Sequence, residues 1–213
     1  MILKKEQSYR LIKKLNQSIK NPKTSLKYRN QFTLLISVLL SAQCTDVNVN
    51  NVTKNIYKKY YQPEHFLKLK MHKIKNLIKN IGLFNNKAKN IYNLSKILIE
   101  KYKGRIPKTF DELIQLPGVG RKTANVLLNA AFNKDTIAVD THVFRVSNRT
   151  GLTQGKTPTQ VEEQLLKNLP TIYIKKAHHL ILLHGRYTCK ARNPLCNKCV
   201  IKTLCKYKRK NYE

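Results

Sequence analysis

Leu116-Pro117-Gly118-Val119-Gly120-Arg121-Lys122-Thr123 is the stretch whose reading decides the fold. Two glycines one residue apart permit backbone angles closed to other residues, so two helices can be joined here by a very tight turn. Their missing side chains also let a phosphate approach the main-chain amides. A helix starting near Arg121 would aim its unpaired N–H groups and positive dipole end at the same place. A Walker phosphate loop requires glycine immediately before the lysine, where Arg121 stands, and a second glycine five positions earlier, which is missing. A dinucleotide fingerprint requires a preceding strand, and none is predicted. A tight turn that only joins two helices and a turn that also grips an anion both remain open from these eight residues.

Outward from the turn, the chain reads as helix after helix. Thr109-Phe110-Asp111-Glu112 matches a capping box, with Thr109 able to accept from the Glu112 amide while Glu112 reaches back. Upstream, Ile91, Leu94, Leu98 and Tyr102 fall on one face of a helix over 87–102, closed by Gly104 and Pro107. The run from Phe32 to Ala42 is apolar nearly all round and predicts a buried helix at the centre of a core. Segments 47–60 and 73–81 also predict helices, the second with its C-terminus at Gly82. Leu11, Leu15 and Ile19 make one apolar stripe on a short basic helix that ends at Asn21-Pro22. Downstream, Thr157-Pro158-Thr159-Gln160 starts a helix running to about Asn168, and 173–184 completes the set. There is no sustained alternation and no Asn-Gly or Asp-Gly hairpin, so the fold class is all-α.

The charge balance points at a partner. The 213 residues carry 42 Lys+Arg against 11 Asp+Glu, a formal +31, which attracts any polyanion. Lysine is spread along the whole chain rather than gathered in one tail, as a biased genome would also leave it, so the charge supports nucleic-acid binding without defining a site. The start, MILKKEQSYR, has no apolar stretch of signal-peptide length. The longest apolar run, 32–42, is too short for a bilayer, which needs about 20 apolar residues. A cytoplasmic protein without a membrane partner is expected. Five cysteines, four of them near the C-terminus, then argue for metal ligation over a disulfide framework. Cys189, Cys196, Cys199 and Cys205 form C-x6-C-x2-C-x5-C, a spacing that a four-cysteine zinc site and a [4Fe–4S] cluster both accept.

Several of these stretches together resemble the endonuclease III family of DNA glycosylases. The residues that carry the resemblance are 116–124, Val139-Asp140-Thr141-His142-Val143-Phe144-Arg145, Leu39-Leu40-Ser41-Ala42-Gln43, Ile81-Gly82-Leu83 and the four C-terminal cysteines, in order and spacing from about residue 5 to the end. The resemblance implies two helical domains with the DNA groove between them. One is a helical-barrel domain over 22–132 whose helix-hairpin-helix spans about 109–131; the other, 1–21 with 133–213, carries an iron–sulfur cluster. It makes the cysteine site [4Fe–4S], with the cluster shaping a basic loop toward the DNA backbone. The implied partner is duplex DNA bearing oxidised pyrimidines or abasic sites, met by a monomer.

The resemblance also assigns roles. Lys122 is the nucleophile that attacks the sugar carbon C1′ and holds it as an iminium, which requires the amine to be neutral. Asp140 stabilises the cationic sugar as the base departs and doubles as a helix N-cap. The lesion cannot be reached inside the stack, so its nucleotide must be flipped out. Gln43 would fill the vacated space and Leu83 would wedge into the opposite strand. Gly118, Val119, Gly120 and Arg121 in the hairpin, with Lys190 and Arg192 in the cysteine loop, are the expected backbone contacts. His142 is expected to make a structural hydrogen bond. Cys44 departs from the family's alanine and is expected only to pack.

Plainer readings exist for each residue. Lys122 also fits a simple phosphate contact, Leu83 ordinary helix-end packing and Gln43 a solvated polar end of a buried helix. Two rival functions follow from these: a non-catalytic helix-hairpin-helix module, which needs neither Lys122 nor Asp140, and an adenine-removing relative, a type that generally lacks the lysine at position 122.

Overall fold

The computed structural model describes residues 2–211 and is helical throughout, with no strand among them. In chain order the helices are α1 (Lys5–Ser18), α2 (Gln31–Leu40), α3 (Asp46–Lys59), α4 (Pro63–Lys68), α5 (Lys70–Leu77), α6 (Phe84–Tyr102), α7 (Phe110–Ile114), α8 (Arg121–Phe132), α9 (Thr141–Thr150), α10 (Pro158–Asn168) and α11 (Thr171–Tyr187). The all-α reading of the sequence therefore holds. The chain divides into two compact units, Ser25–Asn133 and Met1–Thr24 with Lys134–Glu213.

In the first unit α2 is the central element, because Phe32 through Leu40 are all buried. Asn30 starts it: its side chain accepts from the Thr33 amide at 2.9 Å, satisfying an N–H the helix cannot pair itself. Its two deeply placed hydroxyls are both satisfied, Thr33 donating to the Asn30 carbonyl at 2.9 Å and Ser37 paired with the Tyr57 hydroxyl from α3 at 2.8 Å, as buried hydroxyls require. Helices α3, α6 and α8 pack against α2, and Ile91, Leu94 and Leu98 form the predicted apolar face of α6, each fully buried. A leucine or isoleucine so placed contributes about 1.5–3 kcal/mol, so nine consecutive buried positions in α2 anchor this unit.

Several bounds differ from expectation: α6 starts at Phe84 rather than 87, and α11 runs Thr171–Tyr187 rather than 173–184. Helix α5 ends at Leu77, and the left-handed residue after it is Leu83 (φ 60°), not Gly82. The helix thus stops four residues short of the expected 81, and Leu83 serves as the N-cap of α6. Helix α4 went unanticipated, although Pro63 at its first position is the usual start signal.

The second unit packs α11 against α9, with α1 on α11 and α10 on α9. Leu11, Ile12 and Leu15 bury the apolar stripe of α1. Gly185 lets α11 and α9 approach closely: a Cβ there would lie 2.9 Å from Val146 Cγ2 and 3.1 Å from His142 Cβ. At the start of α10 the Thr157–Gln160 capping box forms as read. At α7 the Glu112 carboxylate instead accepts from the Thr109 hydroxyl at 2.5 Å, while that hydroxyl accepts from the Glu112 amide at 3.4 Å.

Candidate active site

The hairpin between α7 and α8 is held from beneath by apolar side chains. Leu113, Leu116, Val119, Ala124 and Leu127 are all buried, and the Val119 amide donates to the Leu116 carbonyl at 3.0 Å to close the turn. The two glycines prove different in kind. Gly118 sits at φ 79°, and a Cβ on it would meet Asn90 Nδ2 at 2.7 Å and Asn90 Cβ at 3.1 Å. Gly120 is extended (φ −92°, ψ 177°) with nothing within 4 Å of its Cβ position. Only the first is therefore demanded by the backbone. Gly118→Ala should cost about 3 kcal/mol, from the left-handed penalty plus overpacking. Gly120→Ala should cost under about 1 kcal/mol, the weak preference at an N-cap. Urea unfolding of both variants measures this, and equal losses would contradict it.

What Gly120 leaves bare is the start of α8, which has no side-chain cap. Gly118, Gly120, Arg121 and Lys122 are exposed there, whereas Val119 is buried. Val119 can thus offer this surface only its main chain. The Arg121 guanidinium stacks over the Phe110 ring at 5.0 Å, which ties α8 to α7 across the turn. Lys122, the second residue of α8, has no ion-pair or hydrogen-bond partner among the described residues.

In the same unit, the loops at 41–45 and 79–83 lie together. Gln43 and Leu83 are both exposed, Leu83 by 57%. Both also hold left-handed backbone, at φ 53° and 60°, a conformation that costs a non-glycine residue of order 1 kcal/mol or more. A Cβ on Gly82 would sit 3.6 Å from the Gln43 carbonyl oxygen, so the two loops are in contact. Half-buried Cys44 accepts from Asn48 Nδ2 at 3.3 Å.

In the other unit Asp140 caps α9, its Oδ1 accepting from the Val143 amide at 2.7 Å. The carboxylate is half-buried. The segment leading to it is pinned by buried His178, whose Nδ1 donates to the Ala138 carbonyl at 2.7 Å. His142 makes the structural hydrogen bond, to Arg145 at 3.2 Å.

Arg145 and Arg149 of α9 carry a part that the sequence did not reveal. Arg145 donates to the carbonyls of Gly185 (2.8 Å) and Cys189 (3.1 Å). Arg149 donates to those of Lys190 (2.7 Å) and Ala191 (2.8 Å). Together they bind the first turn of the cysteine loop to α9, leaving Lys190 and Arg192 exposed on its outside. A periodicity reading places both arginines on a helix but says nothing of carbonyls forty residues away.

All four loop cysteines are free and half-buried. Among the described residues no three His, Cys, Asp or Glu side chains already converge as ligands of one ion. The thiols nevertheless influence one another: burial pushes Cys199 and Cys205 up, and Cys189 and Cys196 push both in the same direction. His184 stands 3.7 Å from Cys199 Sγ, and burial holds its pKa down to about 4. Cysteine thiolates are the soft donors that a thiophilic cation takes.

Residues 36–171 match the model of the HhH-GPD superfamily of base excision DNA repair proteins. The chain is 56% identical to endonuclease III of Rickettsia conorii over 88% of its length and 89% of that protein. It is 48% identical to endonuclease III of Escherichia coli K12 over 98% and 99%. The chain belongs to the endonuclease III family. A solved structure of a trapped endonuclease III–DNA covalent intermediate superposes with a TM-score of 0.91 and 43% identity, covering 96% of this chain and 97% of that one. For an endonuclease III family member the hairpin, the exposed Lys122 and the capping Asp140 all lie within the matched region. The cysteine loop falls beyond it.

Proposed function

We infer that Lys122 and Asp140 carry out the two chemical tasks of this family's reaction. The chain is a bifunctional base-excision enzyme, a DNA glycosylase with abasic-site lyase activity acting on duplex DNA. The observation that carries the residue assignment is an unpartnered amine on the first turn of α8, two residues after Gly120, whose Cβ position faces open space. Deprotonated, the Lys122 amine attacks C1′ of the flipped nucleotide; the C1′–N bond breaks and the base leaves with its electron pair and takes up a proton. Opening of the sugar gives an imine between Nζ and C1′, loss of a C2′ proton expels the 3′ phosphate, and hydrolysis frees the amine. The Asp140 carboxylate stabilises the positive charge that grows on the sugar. Gln43 fills the gap and Leu83 wedges the facing strand, in keeping with their exposure and strained backbone. Oxidised pyrimidines are the proposed lesions. Borohydride added to enzyme and duplex carrying one such lesion should give a covalent adduct; a pure binding module would give none.

Gly118, Gly120 and Arg121 would meet the phosphates with the main chain of Val119, and Lys190 and Arg192 would meet them from the cysteine loop. If about four phosphates are neutralised, affinity should fall about a hundredfold between 50 and 200 mM salt. A titration that stays flat over this range would sink the electrostatic footprint. Gly120→Ala, though folded, should weaken duplex binding by crowding the amides.

Cys189, Cys196, Cys199 and Cys205 would hold a [4Fe–4S] cluster. Bound there, it supplies a cross-link that shapes the basic loop, to which Arg145 and Arg149 add a second attachment. Purified protein should contain about four irons and four acid-labile sulfides per chain; zinc without sulfide would overturn the assignment.

A further inference from the structure

One lysine is buried where a lysine is not expected. Lys87 is 4% exposed and lies in the first turn of α6, at the positive end of that helix, where a cation is disfavoured. Its surroundings explain it. The amine donates to the carbonyls of Leu40 at 2.9 Å and Ala42 at 2.6 Å, the last turn of α2 and the residue before Gln43. Helix α2 has no basic residue in its own last turn, so Lys87 supplies from another helix the positive charge its C-terminus lacks. The main-chain N–H of the same residue donates to the Leu83 carbonyl at 3.1 Å. Burial lowers the pKa of Lys87, and nearby Cys44 opposes that shift.

We propose that Lys87 is a positioning residue for strand opening, a strut whose amine ties the Gln43 loop to the first turn of α6, the helix that Leu83 caps, and so sets the distance between the two probes. This rests on the roles given above to Gln43 and Leu83. Asn48 is a second strut between the same loops, its Nδ2 contacting Cys44 Sγ at 3.3 Å and the Asn80 carbonyl at 3.1 Å. The probes must enter the duplex together, one filling the gap while the other parts the opposite strand. Both stand on left-handed residues that relax unless the surrounding structure holds them. A shift of one loop by an ångström would misplace the pair, an error of a size that costs rate steeply.

The test compares cleavage of an abasic site in duplex DNA with cleavage of the same site in single-stranded DNA, which needs no opening. Lys87→Met should lower the duplex-to-single-strand rate ratio about tenfold, and Asn48→Ala should lower it in the same direction. Neither should lower it further in a Gln43→Ala background, since coupled residues are not additive. Lys87→Arg, which keeps a cation for the two carbonyls, should restore much of the ratio. If Lys87→Met slows both substrates equally, or adds in full to Gln43→Ala, the lysine is merely structural and the proposal fails. If Lys87→Met does not fold, Asn48→Ala in the first turn of α3 takes its place in the same cycle: non-additivity with Gln43→Ala supports the strut, and full additivity overturns it. Should Gln43→Ala lower the ratio while neither strut variant does, only the strut is wrong. Should Gln43→Ala itself leave the ratio unchanged, the gap-filling role falls and the strut with it.

Discussion

Lys122→Ala should abolish the borohydride-trapped adduct and slow strand cleavage by more than about 10⁴-fold, the scale on which loss of a covalent nucleophile is felt. The protein should remain folded. Lys122 is exposed and without a partner among the described residues, and alanine has the better helix propensity at a position in α8. Duplex binding should weaken only modestly, by the one phosphate charge the lysine contributes. Those three measurements separate nucleophile from phosphate contact. A lysine that only touches the backbone would lose affinity and salt slope while the variant still cleaved at saturating DNA.

Asp140→Asn should reduce base release by about 10²–10³-fold, the usual effect of removing one preorganised charge from a cationic transition state. Its stability should change by under about 0.5 kcal/mol, because asparagine caps a helix about as well as aspartate and can accept the same bond from Val143. Asp140→Ala should lose both, the rate and about 1 kcal/mol of stability with the cap. Single-turnover excision and chemical denaturation of the two variants resolve the roles. If the asparagine variant excised bases at the original rate, the carboxylate would be a cap and nothing more.

The hairpin, the buried helix α2 and the caps at Thr109, Asp140 and Thr157 were legible because each depends on neighbours within a few residues in the chain. Glycine spacing, apolar periodicity and a cap three residues ahead of its amide are local facts. The tight turn at 116–120 formed as read, yet the sequence treated its two glycines alike, and only the packing of Asn90 against Gly118 told them apart. The helix read over 73–81 with its end at Gly82 instead spans Lys70–Leu77, and the left-handed position falls at Leu83, where α6 starts.

By itself the chain of residues determined that this protein is all helical, that a tight glycine turn precedes Lys122, that Asp140 begins a helix, and that four cysteines cluster near its end. Tertiary structure alone decided which lysine among so many is buried, which arginines hold the cysteine loop, and which exposed residues stand in strained backbone. The reason is range: propensity, capping and periodicity act over one or two helical turns. Lys87 reaching the carbonyls of Leu40 and Ala42, like Arg145 reaching that of Cys189, depends on helices that meet only once the cores have closed.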